Sequence, residues 1–555
     1  MRFWVVKLAL FAPVFFAAAC VSGPPVSLEA DIAETVAKVE TASDAAARLR
    51  ADVAWLADDA RLGRETGTQG YRDAANYVAA RMARTGLQPG GTDGWFQEVP
   101  FVYGVPNPDG AAMSITGRDG ARIELENLKD FIIYPSIAAD EFAIDEAGAV
   151  FVGYGVHAPE FGHDDYAGVD VKGKVVVYFS GVPDIFDNES HAHFDSGSLK
   201  AKEASAHGAI GVISLTTRDV EGRRAWEQRK SSPIISWTWP DGRADTSGPN
   251  IRGTAVAHPG KAPLLFDGAA HSYADARAAA DGNGEATGSF ELAVKVSMAG
   301  SMTRTNISSP NVVGVIPGAD PTLKGEYVVL TAHLDHIGFD EAALRGGKDG
   351  INNGALDNAA GVATMLEAAR KFTEDGAPAR SVLVVAVTAE EKGLLGADYF
   401  AHFPPVGAGE MVANVNLDMP VMLYSFTDVI AFGAERSSIG PILHAALEET
   451  GVVLSPDPIP ELGIFTRSDH YRFVEQGVPS IFLWPGFASG GEKKFRDFYE
   501  NHYHAPSDDI SLPIRFKDLA RFAEVNYIIA RALADSPQRP VWNKGDFFGD
   551  LFTKH

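Results

Sequence analysis

Six apolar runs between residues 311 and 484 constrain the fold of this chain more than any other feature. They read "NVVGVIPG", "YVVLTAHLDH", "SVLVVAVTAEE", "MVANVNLDM", "DVIAFG" and "PSIFLW". In most of them Val, Ile and Leu residues follow one another without polar alternation, the pattern of strands buried on both faces. Helical stretches separate them. In "AAGVATMLEAARKF", Val362, Met365, Leu366, Ala369 and Phe372 share one face. Doubly buried strands alternating with helices predict an α/β fold, a three-layer sandwich around a mainly parallel mixed sheet. Ligands in such sheets bind beyond the carboxyl ends of the strands.

Those ends carry acids and histidines. "VVLTAHLD" ends on His333 and Asp335, and "NNGALDNAAGVA" sets Asp357 in a glycine-flanked turn before a helix. "VVAVTAEE" delivers Glu390 and Glu391, "ANVNLD" delivers Asp418, and "ENHYHAPSDD" delivers His502 and His504. Singly, each has a plainer reading: a strand-end Asp caps a helix, and a Glu pair lies on a solvated face. Gathered at one edge of one sheet, so much negative charge requires cations. Carboxylates and imidazoles suit zinc. The only cysteine is Cys20, so a thiolate site is excluded.

The motifs "AHLDHIG", "GALDNAAGVATMLEAAR", "TAEEKGLLGADYF", "NLDM", "SDHYRF" and "YHAPSDD" follow one another over residues 310–535. In this order they resemble metallopeptidase family twenty-eight, the di-zinc aminopeptidases with a zinc exopeptidase fold. The resemblance implies that Asp357 bridges two zinc ions. His333 and Asp418 would complete one metal, and Glu391 and His504 the other. Glu390 would bind no metal and serve as the general base that takes a proton from the attacking water and returns it to the departing amine. A cis peptide bond between Asp357 and Asn358 is also implied. Asp335, two residues from His333 along the strand, points to the same side and is the expected carboxylate acceptor for the other imidazole N–H. Ser468, Asp469 and His470 are assigned to support or substrate binding. Tyr503 is placed to polarise the substrate carbonyl or to pack. Pro420 and Arg467 depart from the family pattern, and Arg467 could alter the substrate pocket.

The remaining chain divides by texture. At 555 residues, three or four structural units are expected. Residues 1–20 read as an export signal, with Arg2 and Lys7 before "LALFAPVFF" and "AAAC". The signal resembles the lipoprotein type, lipidated on Cys20, although Ala17 stands where leucine is usual. The alternative is an ordinary signal peptide cut near Ala19. The protein is therefore expected to be exported, periplasmic or anchored to the outer membrane, or else secreted. Residues 27–135 read as a helical lead-in, with strands and turns from 96. Residues 140–295 resemble an inserted protease-associated domain, through "GVHAPEFGHDDYAGVDVKGKVVVY" and "KAKEASAHGAIGVISL". That domain is expected to roof the cleft and limit substrate size. Its polar stretch 216–233 reads as a loop, and His191 and His193 as loop histidines. Residues 305–540 form the catalytic domain, and 541–555 a tail.

The net charge of −25 argues against nucleic acid as a partner. It favours amine-bearing substrates. The expected partners are peptides with a free N-terminus, with membrane contact only through a lipid on Cys20. Carboxypeptidase or dipeptidase activity is the nearest alternative, with Arg467 as a clamp for the substrate carboxylate. Acyl transfer of the glutaminyl cyclase type uses one zinc, which the five-ligand set opposes. A receptor-like binding protein would have lost the ligands.

Overall fold

The computed structural model describes residues 27–553, apart from 247, 283, 285, 286 and 407–409. The export signal expected over 1–20, with Cys20, lies outside the described residues. Two sheets share one long strand, Phe290–Ile316. Its second half pairs with Phe96–Pro106 on one side and Ser381–Val387 on the other, both antiparallel. From Ser381–Val387 the sheet runs through Tyr327–His333, Met411–Asn416 and Ser480–Pro485, all parallel. Asp428–Phe432 follows antiparallel, then Val453–Ser455. The sheet is mixed and mainly parallel, as the apolar runs predict.

Burial on both faces explains why those runs do not alternate. Val328, Leu330, Val382 and Val384 pack into the core beneath the helices Ala45–Leu56, Gln69–Thr85, Ala360–Glu374 and Phe516–Asp535. Val329, Leu383, Val385 and Val387 point the other way, into a core closed by Phe400 and Phe473. Each such side chain contributes roughly 1.5–3 kcal/mol when taken fully out of water. Val362, Met365, Leu366, Ala369 and Phe372 are at most 1% exposed, and the helix face read from the sequence is the buried one.

The second sheet begins earlier than the sequence texture suggests. Helices end at Thr85, and Ala112–Thr116, Arg122–Leu125 and Phe131–Pro135 are strands of this sheet. It continues with Glu141–Phe151, Val175–Phe179, Gly211–Leu215 and Gly253–Ala257, paired parallel in that order. Its own core gathers Phe131, Phe151, Phe179, Ile213 and Val296. Two local expectations need correction. The stretch read as a loop over 216–233 contains the helix Arg218–Arg223, capped by Thr217, whose hydroxyl accepts the Val220 N–H. His191 and His193 lie on the helix Asn188–Phe194, capped by Asp187.

That helix joins the two sheets. Ala192 lies against Gly463, where an added Cβ would stand 2.6 Å from the Ala192 methyl. His193 Nδ1 is 2.5 Å from the Tyr471 hydroxyl. The segment 541–553 is docked rather than loose. Phe548 is fully buried against Phe465 and Tyr471, and Arg436 pairs with Asp546 of this segment and with Glu189.

Candidate metal centre

The parallel strands deliver their ends to one edge, because His333 is in register with Val387 and Thr331 with Asn416. His333 is the last residue of its strand, Asp418 lies two residues past Met411–Asn416, and the two glutamates follow Ser381–Val387. Asp357 sits just before the helix Ala360–Glu374, and the Asp357–Asn358 peptide bond is cis. His504 comes after Glu492–Asn501, with a left-handed φ of 56°.

These donors form two groups that share Asp357. His333 Nε2 is 2.9 Å from Asp418 Oδ1 and 3.3 Å from Asp357 Oδ1. The other Asp357 oxygen, Oδ2, lies 3.3 Å from His504 Nε2. His504 Nε2 is also 3.1 Å from Glu391 Oε2. Donor atoms of His333, Asp357 and Asp418 all lie within 4.8 Å of one another, as do those of His336, Asp357 and Glu391. One carboxylate thus faces a histidine nitrogen with each of its two oxygens.

His336 is the participant that sequence reading missed. Its Nδ1 is 2.6 Å from Glu391 Oε1 and 3.8 Å from Asp357 Oδ2, and its Nε2 is buried without a hydrogen-bond partner among the described residues. It stands in "AHLDHIG" three residues after His333, so the signal was present in a motif already singled out.

The surrounding groups hold the donors in place. Asp335 does so differently from expectation. The group near His333 Nδ1, at 3.2 Å, is the Asp335 main-chain carbonyl. The Asp335 carboxylate instead accepts the N–H groups of Glu390 and Glu391 and the Thr66 hydroxyl. The strand stops at His333, so the two-residue alternation does not carry on to Asp335. This carboxylate therefore shapes the turn that points the glutamates apart. Ser468 donates to Asp418 Oδ2 at 2.6 Å, and the Trp484 indole N–H donates to the Asp418 carbonyl. Asp508 accepts the N–H groups of Leu356 and Asp357 at 2.9 and 3.0 Å, fixing the backbone that carries the shared carboxylate. An Asp508→Ala variant should bind metal roughly 10- to 100-fold more weakly, the usual cost of losing a group that orients a ligand. Competition with a chelator measures this, and unchanged affinity would remove Asp508 from the account.

Electrostatics asks for added positive charge. Burial alone would depress the His333 imidazole, but Asp418, Glu390 and Asp357 raise its pKa well above the ordinary value. His504, also opposed by burial, is raised to about 10 by Asp357 and Glu391. Asp357 is lowered despite its burial, through His336, His333 and His504. Glu390 goes the other way. Burial, reinforced by Glu391, Asp418 and Asp469, raises its pKa well above the carboxylate range. Oxygen and nitrogen donors in this arrangement, drawing protons onto their own histidines, fit divalent cations.

A cavity of about 40 Å³ opens on this edge, with Glu390, Asp418, Ile464, Arg467, Trp484 and Tyr503 among its walls. Arg467 is exposed, and among the described residues its side chain donates to the Leu462 carbonyl at 3.4 Å. The Tyr503 ring stacks on His504 with centroids 3.9 Å apart. Asp469 is fully buried, neither of its carboxylate oxygens has a hydrogen-bond partner among the described residues, and burial raises its pKa strongly. His502 contacts Ser507 instead of the donors.

Residues 311–529 match the sequence model of peptidase family M28. Leucine aminopeptidase 1 of Trichophyton equinum is 28% identical over 220 residues, 38% of this chain and 54% of the relative. The probable leucine aminopeptidase 1 of Trichophyton verrucosum is 27% identical over 219 residues, 37% of this chain and 53% of the relative. The chain thus matches about half the length of these curated relatives. Among solved structures, an aminopeptidase from Aneurinibacillus sp. strain AM-1 aligns with a TM-score of 0.46 at 18% identity, over 93% of this chain and 95% of that one.

Proposed function

We propose that this chain, whose residues 311–529 match the sequence model of peptidase family M28, is a zinc-dependent aminopeptidase that removes N-terminal residues from peptides. The observation that carries this reading is the position of Asp357, whose two oxygens each face a different nitrogen ligand. His333, Asp357 and Asp418 would hold one zinc ion, and Asp357, Glu391 and His504 a second. Bound there, the ions supply positive charge that polarises the scissile carbonyl and makes a water more acidic.

The chain's own groups have distinct tasks. Glu390 takes the proton of the attacking water and hands it to the departing amine. Its side chain makes no hydrogen bond within the described residues, which leaves it free for that exchange. His336 and Asp335 hold Glu391 and its turn, so that the two adjacent glutamates face different partners. The Tyr503 hydroxyl, at the cavity, is available to donate to the substrate carbonyl oxygen. Asp418 and Glu390 are natural neighbours for the substrate ammonium. The inserted sheet, seated on residues 463 and 471 through the helix Asn188–Phe194, would roof the cleft and restrict it to chain ends. We assign the protein to the exported fraction of the cell, on the composition of residues 1–20.

One observation favours a second reading. Arg467 lies at the cavity with no carboxylate partner among the described residues, and could clamp a substrate carboxylate as a carboxypeptidase requires. A peptide panel with free, acetylated and amidated ends separates the two. Acetylation removes the ammonium and adds bulk, and is expected to slow cleavage at least a hundredfold, about 2.7 kcal/mol of transition-state binding. Amidation should matter little. The opposite pattern would make the protein a carboxypeptidase.

A further inference from the structure

The lead-in stretch "RLGRETGTQGY" lies outside residues 311–529, yet it reaches the metal centre. Between the helices Ala45–Leu56 and Gln69–Thr85 the chain turns through left-handed φ angles at Leu62 (47°), Gly63 (67°) and Arg64 (47°). Residues with a Cβ rarely adopt that conformation, so packing must enforce it here. Gly63 shows how close the packing is: an added Cβ would stand 2.3 Å from the Gly338 carbonyl oxygen. The Gly338 N–H donates to the Gly63 carbonyl at 3.1 Å, and the His336 N–H to the Arg64 carbonyl at 3.2 Å. The main chain thus ties this turn to the segment that carries His333 and His336.

The Arg64 side chain adds a second segment. It is 1% exposed, and its guanidinium donates to four main-chain carbonyls. Nε reaches Leu334 at 3.0 Å, Nη1 reaches Leu56 at 2.7 Å and Asn353 at 2.6 Å, and Nη2 reaches Gly354 at 3.1 Å. Leu334 directly follows His333, and Asn353 and Gly354 stand just ahead of Asp357. A guanidinium is planar, and its N–H groups point in fixed directions. Carbonyls bonded to one such plane are therefore held at fixed positions relative to one another. None of the four partners is a carboxylate, so the guanidinium takes no oxygen from Asp357 or Glu391. Burial lowers its pKa to about 10 against the opposing pull of Asp508, Asp357, Asp335 and Glu391, so it is charged at neutral pH.

We propose that Arg64 is a positioning residue of the metal centre: its guanidinium sets the spacing between the segment that carries His333 and the turn that carries Asp357. His333 Nε2 and Asp357 Oδ1 lie 3.3 Å apart, and a shift between their segments would spoil the position they share. This role rests on the zinc reading of those donors, and is independent of which peptide end is cleaved.

Arg64→Lys is the test, because lysine keeps the charge but offers its donors from one point and cannot span the four carbonyls. Arg48→Lys is the control. Arg48 is also buried in the lead-in, but its guanidinium pairs with Glu367 on the helix Ala360–Glu374 and not with a ligand segment. Chelator competition on the folded protein gives zinc affinity, and the absorption spectrum of the cobalt-loaded protein reports the geometry around the metals. Arg64→Lys should bind zinc roughly tenfold or more weakly and shift the cobalt spectrum, whereas Arg48→Lys should match wild type in both. Wild-type zinc affinity or an unchanged cobalt spectrum in Arg64→Lys, or an equal loss in Arg48→Lys, would overturn the proposal. Should Arg64→Lys fail to fold, Arg64→Gln, which keeps a planar N–H group, takes its place. Failure of both to fold would also overturn it, by making Arg64 a residue of fold stability alone. Both readouts are taken without turnover. A protein that shows them yet spares free N-termini would sink the aminopeptidase reading and leave this one intact.

Discussion

Replacing Glu390 with glutamine is expected to lower kcat by on the order of 10³-fold, about 4 kcal/mol, while zinc content stays at the wild-type level. Glutamine keeps the shape and volume of the side chain and loses only the ability to carry a proton. The Glu390 backbone N–H still reaches Asp335, so the turn that aims Glu391 is preserved. The adjacent residue should behave in the opposite way. Glu391 lies between His336 and His504, so Glu391→Ala should lose metal first and activity as a consequence. Steady-state kinetics alongside metal analysis of both variants reads the contrast. Normal turnover by Glu390→Gln would refute the proton-carrier role.

The largest loss is expected from Asp357→Asn. This residue is common to the groups His333–Asp357–Asp418 and His336–Asp357–Glu391, so removing its charge weakens both metal positions at once. Activity should fall by roughly 10⁴-fold or more, at least about 5.4 kcal/mol. Metal analysis should show both ions depleted together. Asn is nearly the same size, and Asp508 continues to hold the backbone N–H of residue 357, so the fold should persist. Loss of one ion with the other retained at full occupancy would show that Asp357 is not shared.

Much of this was legible in the sequence, for a physical reason. Strands buried on both faces must be continuously apolar, so the first acid or histidine after each run marks the strand end and therefore the ligand edge. His333, Glu390, Glu391 and Asp418 stand out in this way. What escaped notice depends on long-range packing. Asp508 acts on Leu356 and Asp357, about 150 positions earlier, and nothing in "YHAPSDD" fixes that register. Asp335 was assigned by strand alternation, which ends with the strand itself at His333. The helix Asn188–Phe194 is too short for a periodic pattern, and it is held by Tyr471, Phe547 and Phe548. Its capping aspartate, Asp187, was the one local signal available.

The central claim is that two zinc ions are held around one shared carboxylate. Diffraction data collected above the zinc absorption edge, from crystals of the zinc-reconstituted protein, test it directly. The account predicts two anomalous peaks flanking Asp357, one beside His333 and Asp418 and the other beside Glu391 and His504. A single peak, or a pair that leaves Asp357 outside both coordination shells, would contradict it.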